Sequence, residues 1–413
     1  MTGLGKHRTS LVALAALLWL AIGFGPTTAR TPPNTNPSHE EILRGFDASA
    51  LWASREDVAH GGTYNPAGMI VKWQKPILYK IEGLTSRPDL VNLAIATLKR
   101  QAAIAGIEAR PASAQEPANY TMGFRNVASF DLGDRKAICY AGPNYNTSGH
   151  IQHVNLQINL AAPNIERCVR HEILHSFGLL NHPHSLHSVL SYYTTVADLT
   201  EADQVMLLSL YDPRIRPGMS RLAALTVADG LIEEKRRQIN PRAPPKTSPA
   251  PVLRDAVADL QAAANTGTVR AQLYLAEAAW KGYGMAPDAA RMQAMLDRAT
   301  ATQDIVSRFD VAFALLAGSY VPKDEARAAA LFQRNADLGH EVSQNNLAVL
   351  LRDGRGVAID KVAALTWFTI AARRNYAPAE RARVSLAATL PPDQQETARL
   401  RAAAWKPRPE GAR

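Results

Sequence analysis

The chain has 413 residues, is 46% apolar and 20% charged, and contains 26 prolines. That length exceeds one ordinary hydrophobic core, so two domains are expected, and the composition excludes a disordered or fibrous chain. The formal charge is +9, but the basic residues are scattered and partly terminal, so no nucleic-acid partner is expected.

Lys6, His7 and Arg8 precede an apolar run from Leu11 to Phe24 and the small-residue stretch Gly25-Pro26-Thr27-Thr28-Ala29. This pattern reads as a signal peptide over residues 1–29, an uncleaved anchor being the alternative. The apolar run falls short of the roughly 20 residues a membrane span needs. An exported protein, periplasmic or secreted, with no transmembrane span after signal cleavage is expected. Export permits a disulfide, and Cys139 and Cys168 allow only one pairing; two buried thiols are the bland alternative.

Residues 30–68 read as a flexible lead-in and N-terminal segment, since Thr31 to His39 is rich in proline and asparagine. Residues 69–219 form the first domain. Val71 to Trp73 through Ile77 to Ile81 has strand composition, and Asp89 to Ala105 has helical periodicity. Tyr120 to Phe124 is a second strand. His153 to Leu160 alternates apolar with polar residues like a half-buried third.

A helix follows. Pro163-Asn164 supplies a stop and an N-cap, Glu166 suits the positive helix terminus, and Gly178 suits a left-handed C-cap. Within it, His171-Glu172-Ile173-Leu174-His175 places two imidazoles on one helical face, four residues apart. Both can bind one Zn2+ while Glu172 reaches a water in the open coordination position, the general-base arrangement of a metallopeptidase. Ile165, Val169, Ile173 and Phe177 form an apolar stripe about 200° around the axis from the histidines.

The motif continues Ser176-Phe177-Gly178-Leu179-Leu180-Asn181-His182, and Gly178 marks a sharp turn that can return a third ligand to the metal. Ser188-Val189-Leu190-Ser191-Tyr192 and the helical stretch from Leu199 to Tyr211 follow. In this order, residues Met69 to Tyr211 resemble the catalytic domain of the metzincin metallopeptidases. The resemblance implies a methionine turn at Ser188 to Tyr192, with Leu190 where methionine is usual. It also implies an edge strand at His153 to Leu160 that pairs with extended substrate. Asn181 stands where that family places its third histidine, so His182 is expected to complete the zinc set, with His184, His187 and Glu201 as lesser candidates. Tyr192 is expected either to stabilise an oxyanion or to pack beneath the site. The texts Arg167 to Asn181 and Leu210 to Met219 also resemble an uncharacterised domain of exported bacterial proteins, many of which lack the histidines.

Residues 220–254 read as a helix followed by a linker, because Asn240 to Val252 is too proline-dense for regular structure. Beyond it, Gly282-Tyr283-Gly284-Met285, Gly318-Ser319-Tyr320-Val321 and Gly354-Arg355-Gly356-Val357 recur every 36 residues. Each is followed by an aspartate: Asp288, Asp324 and Asp360. Such a period means stacked helix pairs. Residues 255–384 resemble Sel1-like repeats, relatives of the tetratricopeptide class, and the resemblance implies partner binding; 385–413 reads as a C-terminal tail.

The expected fold is an α+β metzincin-like zinc peptidase domain followed by an all-α solenoid of Sel1-like helical repeats. The expected function is an exported zinc metalloendopeptidase acting on a polypeptide substrate. Zn2+ is held by His171, His175 and His182, with Glu172 as general base for attack by zinc-bound water. The rival expectation is a non-catalytic or vestigial metal-site adaptor that meets an envelope protein through its repeats, and an amidase acting on non-protein amide bonds is a third.

Overall fold

A computed structural model describes residues 36–51, 65–83, 86–132, 136–183, 186–191, 196–246 and 251–408. The signal-peptide stretch and Tyr192 lie outside the described residues. The first domain is mixed α/β. Its five-stranded sheet runs β2 (Ala109–Pro111), β1 (Ile77–Glu82), β3 (Tyr120–Arg125), β7 (Ile151–Asn159) and β6 (Tyr140–Tyr145) in spatial order. The first four strands are parallel, and β6 joins β7 antiparallel at the edge. β4 (Phe130–Asp131) and β5 (Lys136–Ala137) make a separate small hairpin. Tyr120 to Phe124 are all buried, as a central parallel strand covered on both faces requires.

α2 (Pro88–Ala105) buries Leu90, Ala94, Leu98 and Ala102, and it packs beside α3 (Ile165–His175). α3 presents Val169 and Ile173 to the core. Asn164 does not cap α3 with its side chain; its φ of 55° is left-handed, so the chain enters the helix through a backbone kink. α4 (Glu201–Tyr211) and α5 (Arg221–Ile239) close the domain.

Three sequence expectations need correction here. The segment placed in a flexible lead-in contains α1 (His39–Ala50), a helix with a Ser38/Glu41 capping box whose Ile42, Leu43, Phe46 and Ala50 are fully buried. Proline and asparagine before Ser38 concealed it. Val71 to Trp73 is not a sheet strand, because it makes only an isolated bridge between Lys72 and His150. β7 is not the edge strand, since β3 and β6 flank it on both sides.

Buried Lys72 works at the end of α4. Its ammonium donates to the carbonyls of Leu210 (3.0 Å), Asp212 (3.4 Å) and Ile215 (2.5 Å), satisfying helix-terminal groups that lack partners within the helix. Burial pushes its pKa down to about 8 from 10.5. The folded chain therefore releases this proton near pH 8 while the unfolded chain holds it until near 10.5, and stability should rise with pH across that window. Urea midpoints of the wild type are expected to climb between these pH values, and those of Lys72→Met to lack that component.

The second part is an all-helical solenoid: α6 (Pro251–Asn265), α7 (Val269–Lys281), α8 (Ala289–Thr300), α9 (Ile305–Ala317), α10 (Glu325–Asp337), α11 (Glu341–Asp353), α12 (Lys361–Ala372), α13 (Ala377–Ala387) and α14 (Pro392–Ala404). The 36-residue period has one physical meaning. Gly282, Gly318 and Gly354 close α7, α9 and α11 in left-handed geometry (φ 78°, 66° and 69°). Asp288, Asp324 and Asp360 then cap the next helices, accepting from Arg291, Arg327 and Ala363 backbone N–H groups at 2.8–2.9 Å. Helix begins at Pro251 rather than 255, and the stretch assigned to a tail holds α14, with Ala398 and Ala402 buried. Its proline-rich approach and lack of a repeat signature hid it.

The proline-rich stretch does not hold the two parts away from each other. One continuous apolar core runs from Ile42 through the sheet to Leu350. Arg221, 2% exposed, binds Asp47 of α1 through two hydrogen bonds (2.8 and 2.7 Å) and Asp259 of α6 at 3.1 Å. Ser220 donates to Glu277 of α7 at 2.6 Å. Removing the guanidinium strands two carboxylates, so Arg221→Met is expected to cost about 3 kcal/mol in chemical denaturation.

Candidate metal centre

α3 carries His171 and His175 one turn apart, and the chain after it turns back at once. Gly178 makes that possible: φ is 98°, and a Cβ here would lie 1.9 Å from the Val71 carbonyl oxygen. Only glycine fits. The turn is anchored from three sides. Trp73 Nε1 donates to the Ser176 carbonyl (2.9 Å), Tyr211 Oη donates to the Phe177 carbonyl (2.9 Å), and Tyr120 Oη donates to Ser176 Oγ (3.1 Å). Leu180 N–H and Asn181 N–H then donate to the Ser49 carbonyl at 2.7 and 3.2 Å. The end of α1 thus guides the returning segment and delivers His182.

The three Nε2 atoms converge: His171 to His175 is 3.0 Å, His175 to His182 is 3.1 Å, and His171 to His182 is 3.2 Å. His171 Nδ1 donates to the Val189 carbonyl at 2.9 Å and His175 Nδ1 to the Leu179 carbonyl at 2.5 Å. A carbonyl oxygen only accepts, so both Nδ1 atoms carry the proton and both Nε2 lone pairs face the centre. Facing lone pairs repel each other unless a cation lies between them. Tetrahedral zinc with Zn–N of about 2.0–2.1 Å separates its nitrogen ligands by about 3.3 Å, close to what is observed. His171 and His175 are 6% and 7% exposed, and burial together with the neighbouring His175 and His182 pushes the His171 pKa well below its usual value. Neutral imidazole is the form that coordinates metal. The residues present therefore fit zinc.

Asn181 is buried and held by its backbone outside this cluster. Glu201 starts α4 beside Asn240, and the His187 carbonyl accepts from Thr200; neither side chain joins the three histidines. His184 lies outside the described residues.

The loop below the centre is built by residues the motif does not announce. Asp203, fully buried, accepts from Ser188 Oγ (2.5 Å), Val189 N–H (3.0 Å) and Thr200 N–H (2.9 Å), with Thr200 Oγ1 2.9 Å away. Burial raises its pKa against these hydrogen bonds. Arg167 donates to the Val189 and Ser191 carbonyls at 3.2 and 2.6 Å. Together they fix the carbonyl that orients His171. Thr200-Glu201-Ala202-Asp203 is a capping-box spacing, the one sequence signal that could have found Asp203. Leu190 is fully buried in this loop.

Glu172 is half-buried, and its Oε2 accepts the Ala141 N–H of β6 at 2.8 Å. A disulfide joins Cys139, just ahead of β6, to Cys168 on α3, with Cα atoms 6.4 Å apart. Closing the intervening loop contributes about 3–4 kcal/mol on the chain-entropy estimate. The edge strand and the histidine helix are thus tied covalently and by a hydrogen bond to Glu172.

Fold and site together define a mixed α/β domain with a three-histidine centre, joined to a helical-repeat solenoid. Residues 48–228 match the profile of the family described as "Protein of unknown function (DUF2927)", and residues 305–340 and 342–376 match the Sel1 repeat. The second part carries Sel1 repeats, a protein-interaction helical domain. Among solved structures, a Sel1 repeat protein from Oxalobacter formigenes is 28% identical, with 32% of this chain and 98% of that one covered at a TM-score of 0.25. A protective antigen of uropathogenic Escherichia coli displaying an SLR fold is 19% identical, with 50% and 53% covered at a TM-score of 0.24. No curated protein matches the chain. Neither matched family is described as a peptidase.

Zinc analysis of purified protein should find one equivalent in the wild type and in Asn181→Ala, and less than about a tenth of that in His171→Ala, His175→Ala or His182→Ala. Full zinc in His182→Ala would remove it from the ligand set.

Proposed function

We propose that the chain is an exported zinc-binding adaptor. His171, His175 and His182 hold one Zn2+, and the Sel1 solenoid engages a protein partner. The convergence of three Nε2 atoms, two of them with carbonyl-fixed tautomers, carries the metal half. The repeats support the partner half. Bound zinc would fasten α3 to the segment returning through Gly178, so metal affinity adds to folding free energy. The basic, apolar and small-residue order of the N-terminus and the Cys139–Cys168 disulfide support a compartment outside the cytoplasm.

One observation favours a second reading, a zinc hydrolase: Glu172 adjoins two ligands on α3 and has one carboxylate oxygen fixed by Ala141. Zinc would supply Lewis-acid activation of water there. Glu172 would accept a proton at its carboxylate and pass it to a departing amine. The edge strand weighs against an extended peptide substrate. Ala141 spends its N–H on Glu172, and Pro143, two residues on and of the same parity, has none. A peptide laid along this stretch of β6 finds carbonyl acceptors but not the alternating donors of a ladder.

One comparison separates the readings. Wild type and Glu172→Gln are expected to hold equal zinc, crosslink the same partner in intact cells, and leave a mixed peptide library uncut. Cleavage by the wild type that Glu172→Gln loses would replace the adaptor with the hydrolase, and a zinc-free wild type would sink both.

A further inference from the structure

The last layer of the solenoid carries much of the molecule's positive charge. Between Lys361 and Arg408 stand nine basic and three acidic side chains. Two of those acids are already engaged, Glu380 by Arg383 and Glu396 by Arg399. Arg401 and Arg408 make no ion pair among the described residues.

These two arginines rim a groove of about 410 Å³ between α12 and α14. Its floor is apolar, formed by Trp367, Ile370 and Trp405. The Trp405 Nε1–H is buried and has no acceptor among the described residues. An indole donor withdrawn from water without a partner is costly, and a bound carbonyl would satisfy it. The two indoles meet edge to face, centroids 6.0 Å apart and planes at 70°. That arrangement leaves no parallel slot for a nucleobase. The concave apolar floor suits a single inserted side chain better than a lipid surface does.

We propose that this groove docks an acidic segment of a protein partner. An apolar side chain fills the floor, flanking carboxylates meet Arg401 and Arg408, and a backbone carbonyl accepts from Trp405 Nε1. The inference rests on the adaptor reading and names the surface and the partner's chemistry. Free guanidinium groups beside an apolar pocket provide both the charge complementarity and the anchor that such docking needs.

The test uses the full-length protein and a fluorescein-labelled peptide, Asp-Glu-Leu-Phe-Glu-Asp, with a Lys-for-acid version as control. Saturable binding of the acidic peptide is expected, weakening from about 0.05 to about 0.5 M salt. The double variant Arg401→Ala/Arg408→Ala should keep its circular dichroism and bind at least about tenfold more weakly, as the loss of two charge-assisted contacts requires. Trp405→Phe should weaken binding without altering the salt dependence. Absence of peptide binding, or equal binding by the double variant, overturns the proposal. So does arginine-dependent binding of a single-stranded oligonucleotide or of phosphatidylserine vesicles that matches the peptide. A crosslinked partner held equally by wild type and double variant would end the groove assignment while leaving the adaptor reading standing; a wild type that crosslinks none ends both.

Discussion

The approach of the Gly178 backbone to the Val71 carbonyl is the constraint on which the site depends. A helix can place two imidazoles on one face by periodicity alone, but a third imidazole seven residues after His175 requires the chain to leave the helix and reverse at once. The reversal is possible because no Cβ stands between the turn and Val71. It is held because Trp73, Tyr120 and Tyr211 satisfy polar groups that a buried helix end would otherwise leave unmet. Tyr211 also accepts from the Trp73 N–H (3.1 Å), so one hydroxyl joins the segment before the sheet, the turn and the closing helix.

The solenoid is fused to this arrangement rather than tethered to it. α1 guides the returning segment that carries His182 through Ser49 and, through Asp47, binds the arginine that also grips α6. Tyr320, in the loop after α9, donates to the Gly218 carbonyl at 3.1 Å, a further contact across the same boundary. A force or a partner acting on the repeats therefore reaches the three-histidine cluster through a short series of polar contacts. Arg221, which bridges Asp47 and Asp259, is the residue best placed to couple the two parts.

Much of this was legible in the sequence, for identifiable reasons. The histidine helix, α2, β3 and the repeat glycines have strong local signals: periodicity, strand composition and a fixed spacing of Gly and Asp. β7 was legible as a strand but not as an interior one, because alternation reports burial and not neighbours. β6 escaped because Tyr140-Ala141-Gly142-Pro143 lacks β-branched residues and contains two strand breakers; it forms because β7 and the disulfide hold it. α1 escaped behind a proline-rich approach. Among site residues, the histidine motif and Gly178 were visible, Asp203 showed only as the last residue of a capping box, and Arg167 and Ser49 act through contacts no spacing encodes. Trp73 was assigned to a strand, yet its part here is an indole hydrogen bond to Ser176 and a backbone one to Tyr211.

The bond between Cys139 and Cys168 encloses β6, β7 and the first turn of α3 in a covalent ring. The stretch around the turn between the two strands, Asn144 to Ser148, is its most exposed part. A protease that cuts there leaves the two halves joined by sulfur and by the ladder between β6 and β7. Such a nick would pass unnoticed on a non-reducing gel and split the chain on a reducing one, and the histidines would keep their places after it.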